Sequence, residues 1–203
     1  MFNIDPVAFL FRLAVVLPSL TIHEYAHAWT AYKFGDNTAK SMGRLTLNPI
    51  AHIDLLGTII LPLIAHFGWA KPVPVNFLVL NRVQILLVAI AGPLSNILMA
   101  ILLAVAYHVL PLQNLVFVDE FVLIGVYMNL IFAIFNLLPI PPLDGSRIVY
   151  AGLKSPEAVR VYDYFSRFGI FIVIGLIYFG GFRIIIEPLI GFFFDLLRLP
   201  SLF

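Results

Sequence analysis

Cysteine is absent from this chain of 203 residues, and charged residues make up only 11% of it. Without cysteine, disulfides, thiolate metal sites and cysteine nucleophiles are all excluded, so a metal ion would have to be held by nitrogen and oxygen. The formal net charge is +1, which argues against nucleic acid as a partner. The N-terminal residues lack the basic leader of a signal peptide, and we expect them to be retained.

Apolar residues, in contrast, form 62% of the chain, and the mean hydropathy is +1.02. Soluble domains do not reach such values, so the sequence predicts an integral membrane protein. Apolar stretches extend from end to end without an internal repeat, and we expect one membrane-embedded domain over residues 1–203. The predicted fold class is an all-α polytopic membrane protein with about four to six transmembrane segments.

The longer apolar stretches predict the individual segments. Three of them are long enough to cross a bilayer as helices, namely residues 7–32, 84–110 and 121–138. A last span is predicted over residues 168–180. Residues 183–199 are expected to form an interfacial or packed terminal helix, with a second short span as the alternative.

Residues 53–67 form a shorter apolar stretch, interrupted by Gly57 and Pro62. The stretch is too short for a helical span. Non-helical backbone at membrane depth is tolerated only where protein buries it or where it lines a cavity. We therefore expect a re-entrant or short β element after the first span, followed by an extended, proline-rich segment over residues 68–76.

The loops differ in charge, which predicts an orientation. Residues 111–120 contain acidic and no basic side chains, whereas residues 143–167 contain Arg147, Lys154, Arg160 and Arg167. By the positive-inside rule, the first loop lies outside the cell and the second inside, with the N-terminus outside.

The motif His23-Glu24-Tyr25-Ala26-His27 lies within the first predicted span. Residues four apart share one face of a helix, so His23 and His27 can bind a single metal ion. Glu24 is rotated about a quarter turn from them, where it can accept a proton from a metal-bound water. The alternative is three polar residues that happen to be close in a structural helix. Ionisable groups inside a membrane span are costly and usually functional, which favours the metal site.

A zinc site of this kind needs a third protein ligand. Asp144 is the best candidate. It follows prolines that bring the chain out of a span as an extended strand with unpaired carbonyls, and it lies near the same inner end as the histidines. The structural alternative is an Asp-Gly turn at Asp144 and Gly145. His52 and Asp54 are rival third ligands, or partners that hold the zinc histidines.

Other polar residues have weaker claims. Asn136 is a candidate amide donor to a developing oxyanion or to a substrate strand, and Asn48 is a second candidate for that role. Small residues at four-residue spacing in residues 91–96 favour helix packing over direct chemistry. His66 and His108 are isolated and are predicted to be satisfied interface residues.

With the histidine motif in a membrane span and the sequence Asn-Leu-Leu-Pro-Ile-Pro-Pro-Leu-Asp-Gly over residues 136–145, the chain resembles the site-2 protease family of intramembrane zinc metalloproteases. The resemblance covers most of residues 15–150. It implies one zinc ion per chain, bound by His23, His27 and Asp144, with Glu24 as the catalytic base. It looks like a minimal prokaryotic core without the PDZ or CBS domain that many members carry.

The resemblance implies an enzyme of the cell membrane that hydrolyses peptide bonds within or near transmembrane segments of other proteins, with its active site toward the cytoplasm. The substrate helix would have to unwind, and pairing with a strand edge in residues 53–67 would satisfy its backbone. A membrane metal transporter and a catalytically silent helix-binding protein are the alternatives. A homo-oligomer or a regulatory membrane partner is left open.

Overall fold

The computed structural model describes residues 6–60, 68–111 and 116–200, and all regular structure in this part of the chain is helical. The α-helices are α1 Pro6–Lys33, α2 Thr38–Ser41, α3 Arg82–Val109, α4 Val116–Asn136, α5 Asp144–Gly152, α6 Pro156–Ser166, α7 Gly169–Tyr178 and α8 Gly181–Leu196. Short 3-10 helices cover Pro49–His52 and Phe77–Val79, and Leu55–Ile60 is π-helical. The all-α prediction is confirmed for these residues.

Two helices are long and apolar enough to cross a membrane, α3 and Phe117–Asn136 of α4. A third span results if α6 and α7, bent by 55° at the break between them, are counted as one. The described residues thus support an integral membrane protein with two or three candidate spans, and the larger predicted number is not confirmed. Helix α1 is as long as α3, at 28 residues, and is less apolar on average.

Local signals explain where α3 begins. The Asn81 side chain accepts a hydrogen bond from the backbone N–H of Gln84, and the Gln84 side chain accepts one from that of Asn81. This reciprocal capping box satisfies two N–H groups that a helix start otherwise leaves unpaired. The helix predicted over residues 84–110 is therefore present, with its start two residues earlier.

The helices after α3 correct several predicted boundaries. Asp119 lies in the first turn of α4 rather than in a loop, because that helix begins at Val116. The predicted loop over residues 143–167 contains α5 and α6. Helix α6 begins there because the Ser155 side chain caps the N–H of Ala158 and Pro156 occupies the first helical position.

The predicted re-entrant or β element is only partly described. No strand occurs in its residues 53–60, which include the π-helical turn, and residues 61–67 lie outside the described part. Backbone hydrogen bonds join Trp69 to Gly57 and Lys71 to His52, so the chain returns beside its outgoing path. The extended, proline-rich segment predicted after it is present.

Packing places α1, α3 and α4 against one another. The main buried cluster joins α3, α4, α8 and a residue three positions beyond the end of α8, and its members are Ala100, Ala104, Leu123, Val126, Leu130, Ile134, Ile186, Ile190, Phe194 and Leu199. A smaller cluster of Ala31, Leu80, Ile85 and Val88 packs the end of α1 onto the start of α3. Ser19, His23 and His27 of α1 are buried in this packing.

Candidate metal centre

Three side chains meet where α1 and α3 pack beside the start of α5. The Nε2 atoms of His23 and His27 lie 3.1 Å apart, and each lies 3.1 Å from Oδ2 of Asp144. Both histidines are buried, and Asp144 is half-buried. Within the described residues, this is the group of His, Asp and Glu side chains that could hold a metal ion. The geometry brings together the three ligands predicted from the sequence.

The spacing of these atoms fits one metal ion. Zinc binds imidazole nitrogen and carboxylate oxygen at about 2.0–2.1 Å, and a tetrahedron with bonds of that length places its ligand atoms about 3.3 Å apart. The observed separations of 3.1 Å are close to that value.

Hydrogen bonding on the far side of each ring supports a cation at the centre. Nδ1 of His27 donates to the backbone carbonyl of Val88 at 2.7 Å, and Nδ1 of His23 donates to Oδ1 of Asn96 at 2.6 Å. When both imidazoles are neutral, both Nε2 atoms then carry lone pairs that face each other and the Asp144 carboxylate. Three converging acceptors without a donor between them require a positive charge, and the donor set fits zinc.

Gly92 lets α3 approach the histidines closely. A Cβ atom at this position would lie 2.6 Å from Cε1 of His27 and 2.7 Å from Cε1 of His23, and it would overlap Nε2 of His27. Real Cβ atoms essentially never approach other heavy atoms so closely. A residue with a side chain would therefore push α3 away from α1 or displace the rings.

Glu24 is bonded to an extended segment, residues 68–76, which we call the strap. The backbone N–H of Val73 donates to Oε2 of Glu24 at 2.7 Å. Pro72 and Pro74 flank Val73 and have no N–H group, so Val73 supplies the one backbone donor among these three residues.

The strap is held at several further points. Nη2 of the buried Arg44 side chain donates to the carbonyls of Lys71 and Pro72, at 2.7 and 3.3 Å. The N–H of Asn76 donates to Oδ2 of Asp36 at 2.7 Å. These bonds fix the strap on both sides of Val73 and so determine where its N–H points.

The asparagine and aspartate residues considered for other roles lie outside the cluster. Oδ1 of Asp54 accepts from the N–H of Gly57, and Oδ1 of Asn48 accepts from that of Ile50. Nδ2 of Asn136 donates to the carbonyl of Phe132 one turn earlier in α4. The role of Asn136 toward an oxyanion stays a prediction.

None of the other histidines in the described part of the chain belongs to the cluster. His52 is buried, and its Nε2 donates to the carbonyl of Thr46 at 2.9 Å, so the structure gives no support to His52 as the third ligand. Nε2 of His108 donates to the carbonyl of Leu197. His66 lies outside the described residues.

Asp144 is the first residue of α5, whereas an extended strand was expected there. Turns over residues 137–143 connect it to α4, because three prolines in this segment prevent helix but the chain must reverse to reach α5. Two glycines allow the close packing: a Cβ at Gly145 would overlap the carbonyl of Leu137, and one at Gly169 would overlap that of Pro141. The start of α7 thus packs against the segment that carries Asp144.

Sequence reasoning missed two residues of the site, Gly92 and Asn96. Both belong to residues 91–96, which were interpreted as a packing motif. Packing is part of their role, since both are buried. The available signal was an amide side chain inside an otherwise apolar helix, which needs a polar partner.

The fold and the cluster define an all-helical membrane protein with a buried His-His-Asp site suited to a metal ion. Comparison with known proteins shows that the chain belongs to peptidase family M50, whose model matches residues 11–117 and 112–176.

Similar proteins come from several bacteria. Over 148 residues the chain is 48% identical to YwhC of Bacillus subtilis, which is named as a zinc metalloprotease; the match covers 68% of this chain and 67% of YwhC. It is 31% identical over 196 residues to Rip2 of Mycolicibacterium smegmatis, named in the same way, with 92% of this chain and 74% of Rip2 covered. Rip2 of Mycobacterium tuberculosis is 33% identical over 169 residues, covering 78% of this chain and 64% of Rip2. No solved structure matches the chain significantly.

Proposed function

We propose that this protein is an intramembrane zinc metalloprotease that hydrolyses peptide bonds within or near transmembrane segments of other membrane proteins. The observation that carries the proposal is the convergence of His23, His27 and Asp144, with lone pairs facing a common centre. Membership of a peptidase family and the names of the relatives support the same activity.

His23, His27 and Asp144 would hold the zinc ion through Nε2, Nε2 and Oδ2. When bound, zinc would supply a Lewis acid that polarises a peptide carbonyl and lowers the pKa of a coordinated water toward neutrality. The protein contributes low-dielectric surroundings for the two histidines, which are buried where α1 packs against α3.

Glu24 is the proposed general base. Val73 holds Oε2 of its carboxylate, which leaves Oε1 to accept a proton from the attacking water and later to return it to the leaving amine. The N–H of Val73 also limits rotation of the carboxylate, so that the base keeps one orientation through both proton transfers.

The substrate must unwind before cleavage, because helical hydrogen bonds shield its carbonyls. The described part of residues 53–67 offers no strand edge, whereas the strap is extended and lies beside Glu24. We therefore place the pairing of the unwound substrate at the strap rather than at residues 53–60.

The site is proposed to face the cytoplasm. Arg147, Lys154 and Arg160 follow the end of α4 that leads to Asp144, whereas Asp119 and Glu120 lie at its other end. This charge difference supports the orientation that the positive-inside rule predicts.

The decisive experiment compares the wild-type protein with Glu24→Gln in detergent. Both should bind about one zinc ion per chain, and only the wild type should cleave a model transmembrane substrate. Equal cleavage by the variant would reject the role of Glu24. Zinc flux in proteoliposomes without peptide cleavage would favour the transporter.

A companion experiment tests the third ligand. Asp144→Ala should lose zinc, because two histidines alone do not complete the site. Asp54→Ala is the matched control, since Asp54 was the rival carboxylate and is bonded elsewhere. Zinc loss in the control, with zinc retained in Asp144→Ala, would reverse the assignment.

A further inference from the structure

A continuous chain of buried hydrogen bonds leads away from His23 through three helices. Asn96 of α3, Asn129 of α4 and Ser19 of α1 have exposed fractions of 0%, 1% and 3%. The Nδ1 atom of His23 contacts Oδ1 of Asn96, whose Nδ2 donates to Oδ1 of Asn129 at 2.8 Å. An amide pair at this depth is costly unless every polar atom is satisfied.

The orientation of both amides follows from backbone carbonyls, which can only accept. Nδ2 of Asn96 donates to the carbonyl of Ser19 at 3.2 Å, so its Oδ1 must face His23. Nδ2 of Asn129 donates to the carbonyl of Gly125 at 2.8 Å, so its Oδ1 must face Asn96. Flipping either amide would place two acceptors against each other.

Ser19 completes the chain. Its Oγ accepts from Nδ2 of Asn129 at 2.9 Å and donates to the carbonyl of Val15 at 2.9 Å. Each donor therefore has an acceptor, and the direction of donation is the same from His23 to the backbone of α1. A network fixed at both ends allows one arrangement of protons.

We propose that Asn96 is a positioning residue that sets the tautomer and the ring orientation of His23, with Asn129 holding Asn96 in place. Because Oδ1 of Asn96 is a pure acceptor, His23 carries its proton on Nδ1 and presents the lone pair of Nε2 to His27 and Asp144. This inference rests on the proposed function, because it assigns the residues that prepare His23 for zinc.

The two histidines depend on different kinds of partner. His27 donates to a backbone carbonyl, that of Val88, which no substitution removes. His23 donates to a side chain, that of Asn96, so a substitution at position 96 can remove the partner of His23 without changing His23 itself. The competing explanation is that the amides only fasten α1, α3 and α4 together, in which case their loss would lower stability but leave the state of His23 unchanged.

The experiment compares Asn96→Leu and Asn96→Asp with the matched control Thr21→Val. Thr21 is also buried on α1, but its hydroxyl bonds only within that helix, to the carbonyl of Leu17. Zinc affinity is measured by competition with a chelator, and the ring nitrogens of 15N-labelled histidine are observed by NMR in the zinc-loaded protein.

We expect Asn96→Leu to weaken zinc binding by about 10- to 100-fold, the usual effect of removing a partner of a metal-binding histidine. The 15N signal of His23 Nδ1–H should shift or exchange faster. Asn96→Asp keeps an acceptor for Nδ1 of His23, so the Nδ1–H signal should persist, but its second oxygen faces the acceptors of Ser19 and Asn129 and should make the protein less stable. Thr21→Val should bind zinc normally. Asn129→Leu leaves Asn96 in place but removes the side chain that holds it. We expect its zinc affinity to lie between that of the wild type and that of Asn96→Leu.

Wild-type zinc affinity and an unchanged His23 signal in Asn96→Leu would overturn the proposal. Equal loss of zinc in Asn96→Leu and Thr21→Val would also overturn it, because the effect would then be general destabilisation. If Asn96→Leu does not fold, Asn129→Leu decides by the same two measurements. Failure of the proposed function is distinguishable, since the wild-type protein itself would then bind no zinc.

Discussion

Position 92 on α3 has no side chain, and an added methyl group would meet both histidine rings. We expect Gly92→Ala to lower zinc affinity by about 5- to 150-fold, because overpacking a tight contact costs about 1–3 kcal/mol. Gly191→Ala in α8 is the control, since a Cβ there meets nothing within 4 Å. The zinc affinities of both variants are measured by competition with a chelator. Equal affinities of the two variants would show that the histidine rings can move aside.

Sequence reasoning could place some residues of the site better than others. His23 and His27 could be placed together because helix geometry makes residues four apart neighbours. Asp144 is 117 residues from His27, and its assignment needed the topology argument and the family resemblance. The contact of Asn96 with His23 was out of reach, because the spacing of small residues does not say which face of α3 turns toward α1.

Among the larger elements, the strap bonds the proposed general base, Glu24, through one backbone N–H. Val73→Pro removes that donor, and we expect cleavage to fall about 100-fold with zinc content unchanged, since a small misplacement of a catalytic group can cost that much. Val73→Ala keeps the N–H and should retain most of the activity. A proline variant that cleaves as fast as the alanine variant would show that Glu24 needs no such support.

The strap also makes stability depend on pH through Asp36. Burial by itself raises the pKa of the Asp36 carboxyl, but hydrogen bonds from Thr38 and from the N–H of Asn76 more than offset this, and the pKa lies below its usual value. The unfolded chain then binds a proton more readily than the folded one. Ionised Asp36 therefore stabilises the folded protein above its ordinary pKa of about 3.9, and this contribution is lost as pH falls through the lowered value.

Unfolding of the wild type by dodecyl sulfate should consequently need less detergent as pH falls from about 5 to about 3. Asp36→Asn should be less stable than the wild type at neutral pH and should show a shallower change over this range. Asp163→Asn, at an exposed position on α6, serves as the control and should follow the wild type. Parallel curves for all three proteins would exclude this role of Asp36.

Sequence signals differed in how well they defined the helices. The capping box and continuous apolar character made α3 predictable almost to the residue. The π-helical turn over Leu55–Ile60 was not predictable, because its backbone is held by tertiary bonds such as that from the Thr58 hydroxyl to the carbonyl of Trp69. The break between α6 and α7 was missed because the apolar stretch begins only after it.

For the whole molecule, the absence of cysteine gives a direct test of orientation. Lys154→Cys and Glu120→Cys each introduce a single thiol at an exposed position, one near the site and one at the far end of α4. A membrane-impermeant maleimide added to intact cells should label Glu120→Cys. It should label Lys154→Cys only after the cells are permeabilised. The reverse pattern would place the site outside the cytoplasm.

The number of spans was the least predictable property of the molecule. Composition identified a membrane protein, and α3 and α4 satisfy the criteria for spans. The bend of 55° between α6 and α7 leaves open whether those two helices form one span, so length and hydropathy alone do not fix the number. The single domain over residues 1–203 stays a prediction.

The separation of the ligands along the chain has a consequence for biogenesis. The two histidines leave the ribosome early, whereas the aspartate follows them by more than a hundred residues. A nascent chain that stops before α5 would possess two ligands and no functional centre. Hydrolytic capacity would therefore arise only after most of the bundle has been inserted, and the translocation machinery would never face an active protease emerging within it.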